Sequence, residues 1–200
     1  MEQVKYLTVE EYQRVLSVIE NDTDNPRQKR NLAIICAGEY FALRVSEICN
    51  LRKSWYNRGT CEMYCERGKN SNNNMLRIID PKVSNAINSY LDSIHGVTAI
   101  SPYMFPSPLD PNKPICRETI TKMVKKYFKL ANITNPKLYH PHTLKHTRGQ
   151  ELADNGLDIK EVQYWLGHRS ARNTQIYFQF SQQQQIIMYN KLQGNVESEK

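Results

Sequence analysis

The sequence predicts a mainly α-helical fold with a small antiparallel β-sheet. Over most of the 200 residues, apolar positions recur three and four apart, which is the spacing of amphipathic helices. Alternation of apolar and polar residues is confined to the stretch between Thr60 and Asp80, where it indicates a β-hairpin. A chain of this length with 40% hydrophobic residues can bury one core, so we expect a single domain.

A capping box predicts the start of the first helix. Thr8 and Glu11 stand three apart, so that each side chain can accept the other residue's backbone N–H. Apolar residues follow at helical spacing, namely Tyr12, Val15, Leu16 and Ile19. A second helix is expected from about Arg27 to Tyr40 and a third from about Val45 to Arg52. Arg44 falls at the junction between them.

The predicted hairpin has two apolar arms around a polar turn. The arms carry Cys61, Met63 and Cys65 on one side and Leu76, Ile78 and Ile79 on the other. The turn runs from Gly68 to Asn74, and its composition is typical of a loop. Lys69 is therefore expected near the tip of the hairpin.

Five further helices are expected after the hairpin. They run from about Pro81 to Ile94, Glu118 to Ala131, His142 to Asn155, Asp158 to Leu166 and Asn173 to Tyr189. A proline-rich loop separates the first two. Residues 194–200 are expected to form a polar tail.

The charge balance is basic. Lys and Arg number 27 against 20 Asp and Glu, which gives a formal net charge of +7. Such a surface suits a polyanion, although a merely basic surface without a nucleic-acid partner gives the same count. Five irregularly spaced cysteines argue against a secreted disulfide framework. The start has no apolar secretion core and no run is long enough to span a membrane, so we expect a cytoplasmic protein without a membrane partner.

Four short motifs carry the functional prediction, because together they are far more specific than any one of them. In chain order they read Ala42-Leu43-Arg44-Val45-Ser46-Glu47-Ile48, Gly68-Lys69, His142-Thr143-Leu144-Lys145-His146, and Leu166-Gly167-His168 followed by Thr174-Gln175-Ile176-Tyr177. This series resembles the catalytic domain of the tyrosine recombinases, the phage-integrase family. A catalytic domain with little else also resembles the small fimbrial-type DNA invertases of this family, so we expect DNA inversion or another local rearrangement.

The resemblance implies a tyrosine recombinase catalytic-domain fold over residues 1–193, without an N-terminal core-binding domain. It implies an enzyme that cuts and rejoins double-stranded DNA through a 3′-phosphotyrosyl intermediate, with no cofactor, metal or ATP. The implied catalytic residues are Arg44, Lys69, His142, Lys145, His168 and the nucleophile Tyr177. It also implies self-association on DNA through a C-terminal helix, which would carry Ile186, Ile187, Met188 and Leu192. Packing of that stripe within its own chain is the alternative.

These residue types suit phosphoryl transfer. A guanidinium such as Arg44 can hold two non-bridging phosphate oxygens through its planar fork. A tyrosine phenol can form a covalent phosphoester, which keeps the bond energy until a DNA hydroxyl attacks it. Lys69 would act as the general acid that protonates the departing 5′-oxygen.

Two features of the motifs leave alternatives open. The family usually has arginine where this chain has Lys145, and an ammonium group cannot grip two oxygens in a plane. We expect a slower but competent enzyme, and the alternative is a recombinase-derived regulator that binds DNA without cutting it.

A relaxing enzyme of the type IB topoisomerase kind is a second alternative. A metal-dependent nuclease is disfavoured, since His142 and His146 have zinc spacing but lack the H-E-x-x-H glutamate. His146 is expected to be a helix-packing histidine.

Overall fold

The computed structural model describes residues 5–178 and residue 189, and within them the fold is mainly helical. The helices are α1 (Val9–Glu20), α2 (Gln28–Tyr40), α3 (Val45–Asn50), α4 (Pro81–Ser93), α5 (Val97–Ile100), α6 (Arg117–Leu130), α7 (His142–Asp154) and α8 (Ile159–Leu166). The strands are β1 (Tyr56–Asn57), β2 (Glu62–Cys65) and β3 (Asn74–Arg77). The predicted fold class is confirmed.

Helix α2 is the centre of the core. Its residues from Ala33 to Tyr40 are all buried, because α1, α4 and α7 pack against different sides of it. A helix that is enclosed in this way fixes its two ends firmly within the domain. The carboxyl end of α2 leads directly into the segment that carries Arg44.

The first three helices begin close to where the sequence predicts. The Thr8 hydroxyl accepts the Glu11 N–H at 3.2 Å and the Glu11 carboxylate accepts the Thr8 N–H at 3.0 Å, which completes the capping box. Arg44 is the residue immediately before α3, and its backbone N–H donates to Glu47 at 2.8 Å. The helix α3 ends at Asn50, two residues earlier than expected.

The sheet extends the predicted hairpin by one strand. Strands β2 and β3 pair antiparallel, with Met63 opposite Leu76 and Cys65 opposite Asn74. The short strand β1, which the sequence analysis did not predict, pairs antiparallel with β2. The loop between β2 and β3 holds Lys69, as expected.

The carboxyl-terminal helix prediction was wrong at its beginning. Residues Ala171–Asn173 and Gln175–Phe178 form two short 3₁₀ turns, so no long helix starts at Asn173. The turns bring Tyr177 back onto α7, where its ring is buried. The rest of that prediction, including Ile186, Ile187, Met188 and Leu192, lies outside the described residues. Among the described helices, none is both long and apolar enough to cross a membrane.

Candidate active site

The turn after α2 is the first support of the site. Ala42 has φ of 51°, a left-handed conformation that lets the chain reverse between α2 and α3. Its buried carbonyl oxygen accepts hydrogen bonds from Lys145 Nζ at 2.9 Å and from Arg67 Nη1 at 3.2 Å. Two cations from distant parts of the chain are thereby fixed beneath the segment that presents Arg44.

Arg44 is held from one side and open on the other. Its Nη1 donates to Glu47 Oε1 and to Ser71 Oγ, both at 2.9 Å, while 36% of the side chain remains exposed. Pairing with Glu47, which the helical spacing of the two residues allows, therefore coexists with an accessible guanidinium. A guanidinium fixed by two acceptors can meet a phosphate without first losing its rotamer freedom.

Glu47 connects Arg44 to the hairpin. Its carboxylate is almost fully buried and also accepts the Gly68 N–H at 2.9 Å. Burial opposes its ionisation, but the N–H groups of Gly68 and Arg44, together with the charges of Lys145 and Arg67, lower its pKa overall. Glu47 is thus a buried anion that binds the two cationic segments to each other.

The hairpin loop places Lys69 at the edge of the site. Ser71 contacts Arg44 and pairs with His168, and the Asn72 N–H donates to the Gly167 carbonyl at 2.9 Å. Gly167 is required here, because it has φ of 65° and an added Cβ would lie 2.8 Å from the Asn72 carbonyl oxygen. Lys69 itself is exposed and points to no described ion-pair partner.

Lys145 lies beneath the site. Its side chain is 1% exposed, and Nζ donates to the carbonyl oxygens of Ala42 at 2.9 Å and Leu166 at 2.7 Å. Burial, with the positive charges of Arg67 and Arg44, lowers its pKa to about 7 in spite of Glu47. In this conformation the ammonium group is engaged by backbone oxygens, so a direct contact between Lys145 and phosphate remains a prediction.

Tyr177 lies against α7 beside two histidines. Its hydroxyl is 2.9 Å from His146 Nδ1, and the His146 ring meets the His142 ring edge-to-face at 4.5 Å between centroids. Gly149 makes room for the phenol, since an added Cβ would lie 2.5 Å from Tyr177 Cζ. Burial raises the pKa of Tyr177, and the charge of Arg44 acts in the opposite direction. The Arg44 charge therefore acts on the phenol, but burial outweighs it and the hydroxyl stays protonated at pH 7.

His168 completes the arrangement. It is 7% exposed, and its Nδ1 is 3.0 Å from Thr174 Oγ1. Burial, followed by the nearby charges of Lys145, Arg44 and Arg67, lowers its pKa to about 3, so the ring is neutral at pH 7. Partial burial, followed by Lys145, His140 and Arg44, likewise lowers the pKa of His142. Arg44, His142, His168 and Tyr177 are thus brought together from both ends of the chain.

The sequence analysis missed two residues of the site. Arg67 is fully buried and donates to Ala42, Asn74 and Trp165, which joins the turn after α2 to β3 and α8 under the site. The burial of Arg67 could have been predicted from the sequence, because Arg67 continues the inward-facing alternation of Met63 and Cys65. His146 was expected only to pack within its helix, but it contacts the Tyr177 hydroxyl. No sequence spacing indicates a contact between residues 31 positions apart.

The site is a group of cations and neutral histidines around one phenol, and it suits an anionic ligand. Within the described part of the chain, no group of three or more His, Cys, Asp or Glu side chains is placed to hold a metal ion. The basic residues come from three separate segments, and backbone hydrogen bonds fix each segment to the next. Such a preorganised positive site stabilises negative charge that develops on a bound phosphate.

Comparison with known proteins agrees with this description. Residues 5–184 match the phage integrase family, and this chain belongs to that family. It is 29% identical over 187 residues to a tyrosine recombinase of Thermosipho africanus, covering 94% of this chain and 61% of the relative. It is 31% identical over 174 residues to tyrosine recombinase XerA of Pyrococcus furiosus, covering 86% of this chain and 56% of the relative.

Solved structures share the fold. The crystal structure of XerA recombinase matches with a TM-score of 0.76 and 27% identity over 96% of this chain and 64% of that one. The structure of XerH recombinase bound to its difH substrate matches with a TM-score of 0.74 and 18% identity, covering 94% of this chain and 55% of that one. The chain thus has a tyrosine recombinase catalytic-domain fold and spans about 61% of the first relative it matches.

Proposed function

We propose that this chain is the catalytic part of a site-specific DNA recombinase in which Tyr177 attacks a DNA phosphorus. The observation that carries the proposal is the placement of the Tyr177 hydroxyl beside His146 and within the electrostatic influence of Arg44. A phenol alone is a weak nucleophile at pH 7, and cations that stabilise the phenolate and the phosphate oxygens lower its barrier. Family membership and the complex of the site-specific recombinase XerH with its difH substrate support double-stranded DNA as the partner.

In the proposed reaction, Arg44 binds the non-bridging oxygens of the scissile phosphate. A fixed donor of this kind contributes roughly a hundredfold to a thousandfold in rate. His142 and His168 donate hydrogen bonds to the same phosphate, and the buried charge of Lys145 adds to the positive potential below it. Lys69, on the hairpin loop that Glu47 and Ser71 hold near Arg44, protonates the departing 5′-oxygen. The product is a 3′-phosphotyrosyl bond and a free 5′-hydroxyl.

A nicked suicide duplex tests the reaction. When cleavage releases a short strand, rejoining is prevented and the covalent protein–DNA product accumulates. We expect a denaturation-resistant adduct with the wild-type chain and none with Tyr177→Phe, which keeps the ring that fills the space against Gly149. The substrate is a pool of nicked duplexes with randomised sequence. A chelator is expected to leave the yield unchanged, and its loss in chelator would support a metal-dependent nuclease instead.

A second candidate is a DNA-binding regulator. The observation that favours it is that Lys145 is bound by two carbonyl oxygens in place of the exposed cation that the recombinase signature implies. A regulator would retain the duplexes of the pool without forming an adduct. Retention on DNA and adduct formation are measured on the same samples, so the two functions are separated directly.

Recombination also requires two or more protomers on DNA, because a 5′-hydroxyl from one strand must attack the phosphotyrosine of another. We propose that the apolar residues Ile186, Ile187, Met188 and Leu192, outside the described part of the chain, mediate this association. Light scattering of the wild type and Ile187→Asp, each bound to a duplex, would show a loss of higher-order complexes in the variant. We also propose a cytoplasmic location, because the DNA of a bacterium or archaeon lies in the cytoplasm.

A further inference from the structure

The Tyr177 hydroxyl has a specific neighbour that the proposed catalytic set does not include. His146 lies on α7 one turn after His142, and its Nδ1 is 2.9 Å from the phenolic oxygen. The two rings are 5.9 Å apart between centroids and inclined by 53°, so they are tilted and not stacked, and the close contact is the one between Nδ1 and the hydroxyl. This distance is within the reach required of a general base.

We propose that His146 is the general base that removes the proton from Tyr177 when the phenolic oxygen attacks phosphorus. This inference rests on the proposed function. In the cleavage step the Tyr177 Oη–P bond forms and the phenolic proton moves to His146 Nδ1. The P–O5′ bond breaks, and the Lys69 ammonium gives a proton to the departing oxygen. In the rejoining step the 5′-hydroxyl returns a proton to Lys69, and the His146 imidazolium returns one to Tyr177.

Among the described residues, no other basic group of the site hydrogen-bonds to the Tyr177 hydroxyl. His168 directs Nδ1 to the Thr174 hydroxyl, and Lys145 donates to the carbonyl oxygens of Ala42 and Leu166. His142 is exposed and meets the His146 ring edge-to-face. Within the described residues, His146 provides the hydrogen bond that the Tyr177 side chain makes.

The surroundings of His146 keep its ring neutral before DNA binds. Burial lowers its pKa to about 4, and electrostatic repulsion between a protonated His146 and His142, Lys5, His140 and Lys145 acts in the same direction. The ring is therefore neutral at pH 7, with an unprotonated nitrogen. The same cations disfavour an imidazolium until an anion arrives. A bound phosphodiester would offset this repulsion and raise the pKa of His146, which would make proton transfer from Tyr177 easier.

The position of α7 makes the contact reproducible. Gly149, one turn after His146, lets the phenol lie on the helix surface, and the Tyr177 N–H donates to the Thr174 carbonyl at 3.0 Å. The base and the nucleophile are thus located by a helix and a closed turn, and neither depends on a free loop. Such fixed geometry is the condition under which general bases are effective.

The tautomer of His146 gives a test that needs no DNA. Long-range ¹⁵N–¹H NMR correlation distinguishes protonated from unprotonated ring nitrogens, and the chain has five histidines. The His146 signals are identified by their absence in His146→Asn. We expect a proton on Nε2 and none on Nδ1 at pH 7. A proton on Nδ1 would mean that His146 donates to Tyr177, and the general-base role would be overturned.

Kinetics of adduct formation on the nicked-duplex pool give the second test. Asparagine places an amide oxygen near the position of Nδ1, so His146→Asn keeps a hydrogen-bond acceptor but cannot take a proton. We expect its rate at pH 7 to fall by roughly a hundredfold or more, with about a tenfold recovery per pH unit as hydroxide replaces the base. The matched control is His95→Asn, an exposed histidine, which should stay within about threefold of the wild type.

The outcomes separate the inference from the proposed function. A wild-type adduct together with a His146→Asn rate and pH profile like those of the wild type would overturn only the general-base role. Such a result would mean that His146 positions the phenol through a hydrogen bond without moving its proton. Absence of any wild-type adduct would contradict the recombinase function, and the role of His146 with it. Thermal melting followed by circular dichroism confirms that each variant is folded.

Discussion

Lys145 differs from the accessible cations Arg44 and Lys69 because its ammonium group is buried and donates to backbone carbonyl oxygens. The recombinase signature usually has arginine here, and sequence reasoning predicted a cation facing the phosphate. What the sequence could not show is that the carbonyl oxygens of Ala42, in the turn after α2, and of Leu166, at the end of α8, converge on this residue. The place of Lys145 in the site was predictable from its motif, but its burial depends on contacts with residues 103 and 21 positions away in the chain.

The pH dependence of stability should report this burial. The folded pKa of Lys145 is about 7 and the ordinary value is 10.5. Between these values the unfolded chain holds the proton and the folded chain does not, so stability through Lys145 rises with pH. The slope approaches about 1.4 kcal/mol per pH unit in that window and vanishes below pH 7.

Lys145→Met removes this contribution. We expect urea unfolding from pH 7 to 10 to give a flatter dependence in the variant than in the wild type. The difference between the two curves matters, because buried Glu39, whose pKa burial raises, titrates with the opposite sign. Parallel curves would show that the ammonium group is not buried in solution.

At the scale of elements, local sequence signals succeeded where a few adjacent residues determine the structure. The Thr8–Glu11 capping box and the Lys69 hairpin loop are such cases. Strand β1 was missed because two residues carry no readable alternation. The 3₁₀ turns around Tyr177 were also missed, since packing of the phenol on α7 determines them and helical spacing does not.

The turn between α2 and α3 should tolerate glycine and reject a β-branched residue. Ala42 has φ of 51° and is fully buried. Ala42→Gly relieves left-handed strain but loses a methyl group and gains freedom in the unfolded chain, so its unfolding free energy should change by less than about 1 kcal/mol. Ala42→Val should lose about 2 to 4 kcal/mol. Chemical denaturation of the pair measures both, and equal stabilities would contradict the left-handed assignment.

The contact between α7 and Tyr177 predicts a sharp effect of one methyl group. In Gly149→Ala the new Cβ would lie 2.5 Å from Tyr177 Cζ, so the ring must leave its place. We expect at least a hundredfold fall in adduct formation, since displacement of a reacting group by about 1 Å has effects of that size.

A matched control for that variant is Gly38→Ala on α2. Its added Cβ approaches the flexible end of Ile48 at 2.9 Å and does not touch Tyr177. Adduct formation by the control should stay within about fivefold of the wild type, because the strain falls on core packing alone. Equal rates in Gly149→Ala and the wild type would show that Tyr177 does not rest on α7.

At the scale of the whole molecule, the site is assembled from segments far apart in the chain. The turn after α2, the hairpin loop, α7 and the residues after α8 meet at one place. Motif order predicted which segments belong together, because a family signature carries that information. The hydrogen bonds that join these segments, such as those of Arg67 and Glu47, could not be predicted from motif order, because they depend on how the segments pack.

The net charge of +7 predicts DNA binding that weakens steeply with salt. The logarithm of affinity should fall with the logarithm of salt concentration by about 0.9 per phosphate contact. Lys69→Gln should make this slope shallower by about 1, because it removes one such contact. Fluorescence anisotropy with a labelled duplex at several KCl concentrations measures the slope.

The control for this titration is Lys29→Gln. Lys29 is also exposed but lies at the opposite end of α2 from Arg44, roughly 20 Å away by helix length. Its slope should match that of the wild type. If both variants change the slope equally, binding follows overall charge and the hairpin has no special position on DNA.

The carboxylate of Glu47 holds the Arg44 guanidinium and the Gly68 N–H at the same time. The separation between the arginine and the lysine-bearing hairpin is consequently established when the domain folds, before any nucleic acid arrives. An insertion or deletion in the hairpin would therefore alter the orientation of Arg44 as well as that of Lys69. Variation in hairpin length among descendants of this gene should for that reason be accompanied by compensating changes near residue 47.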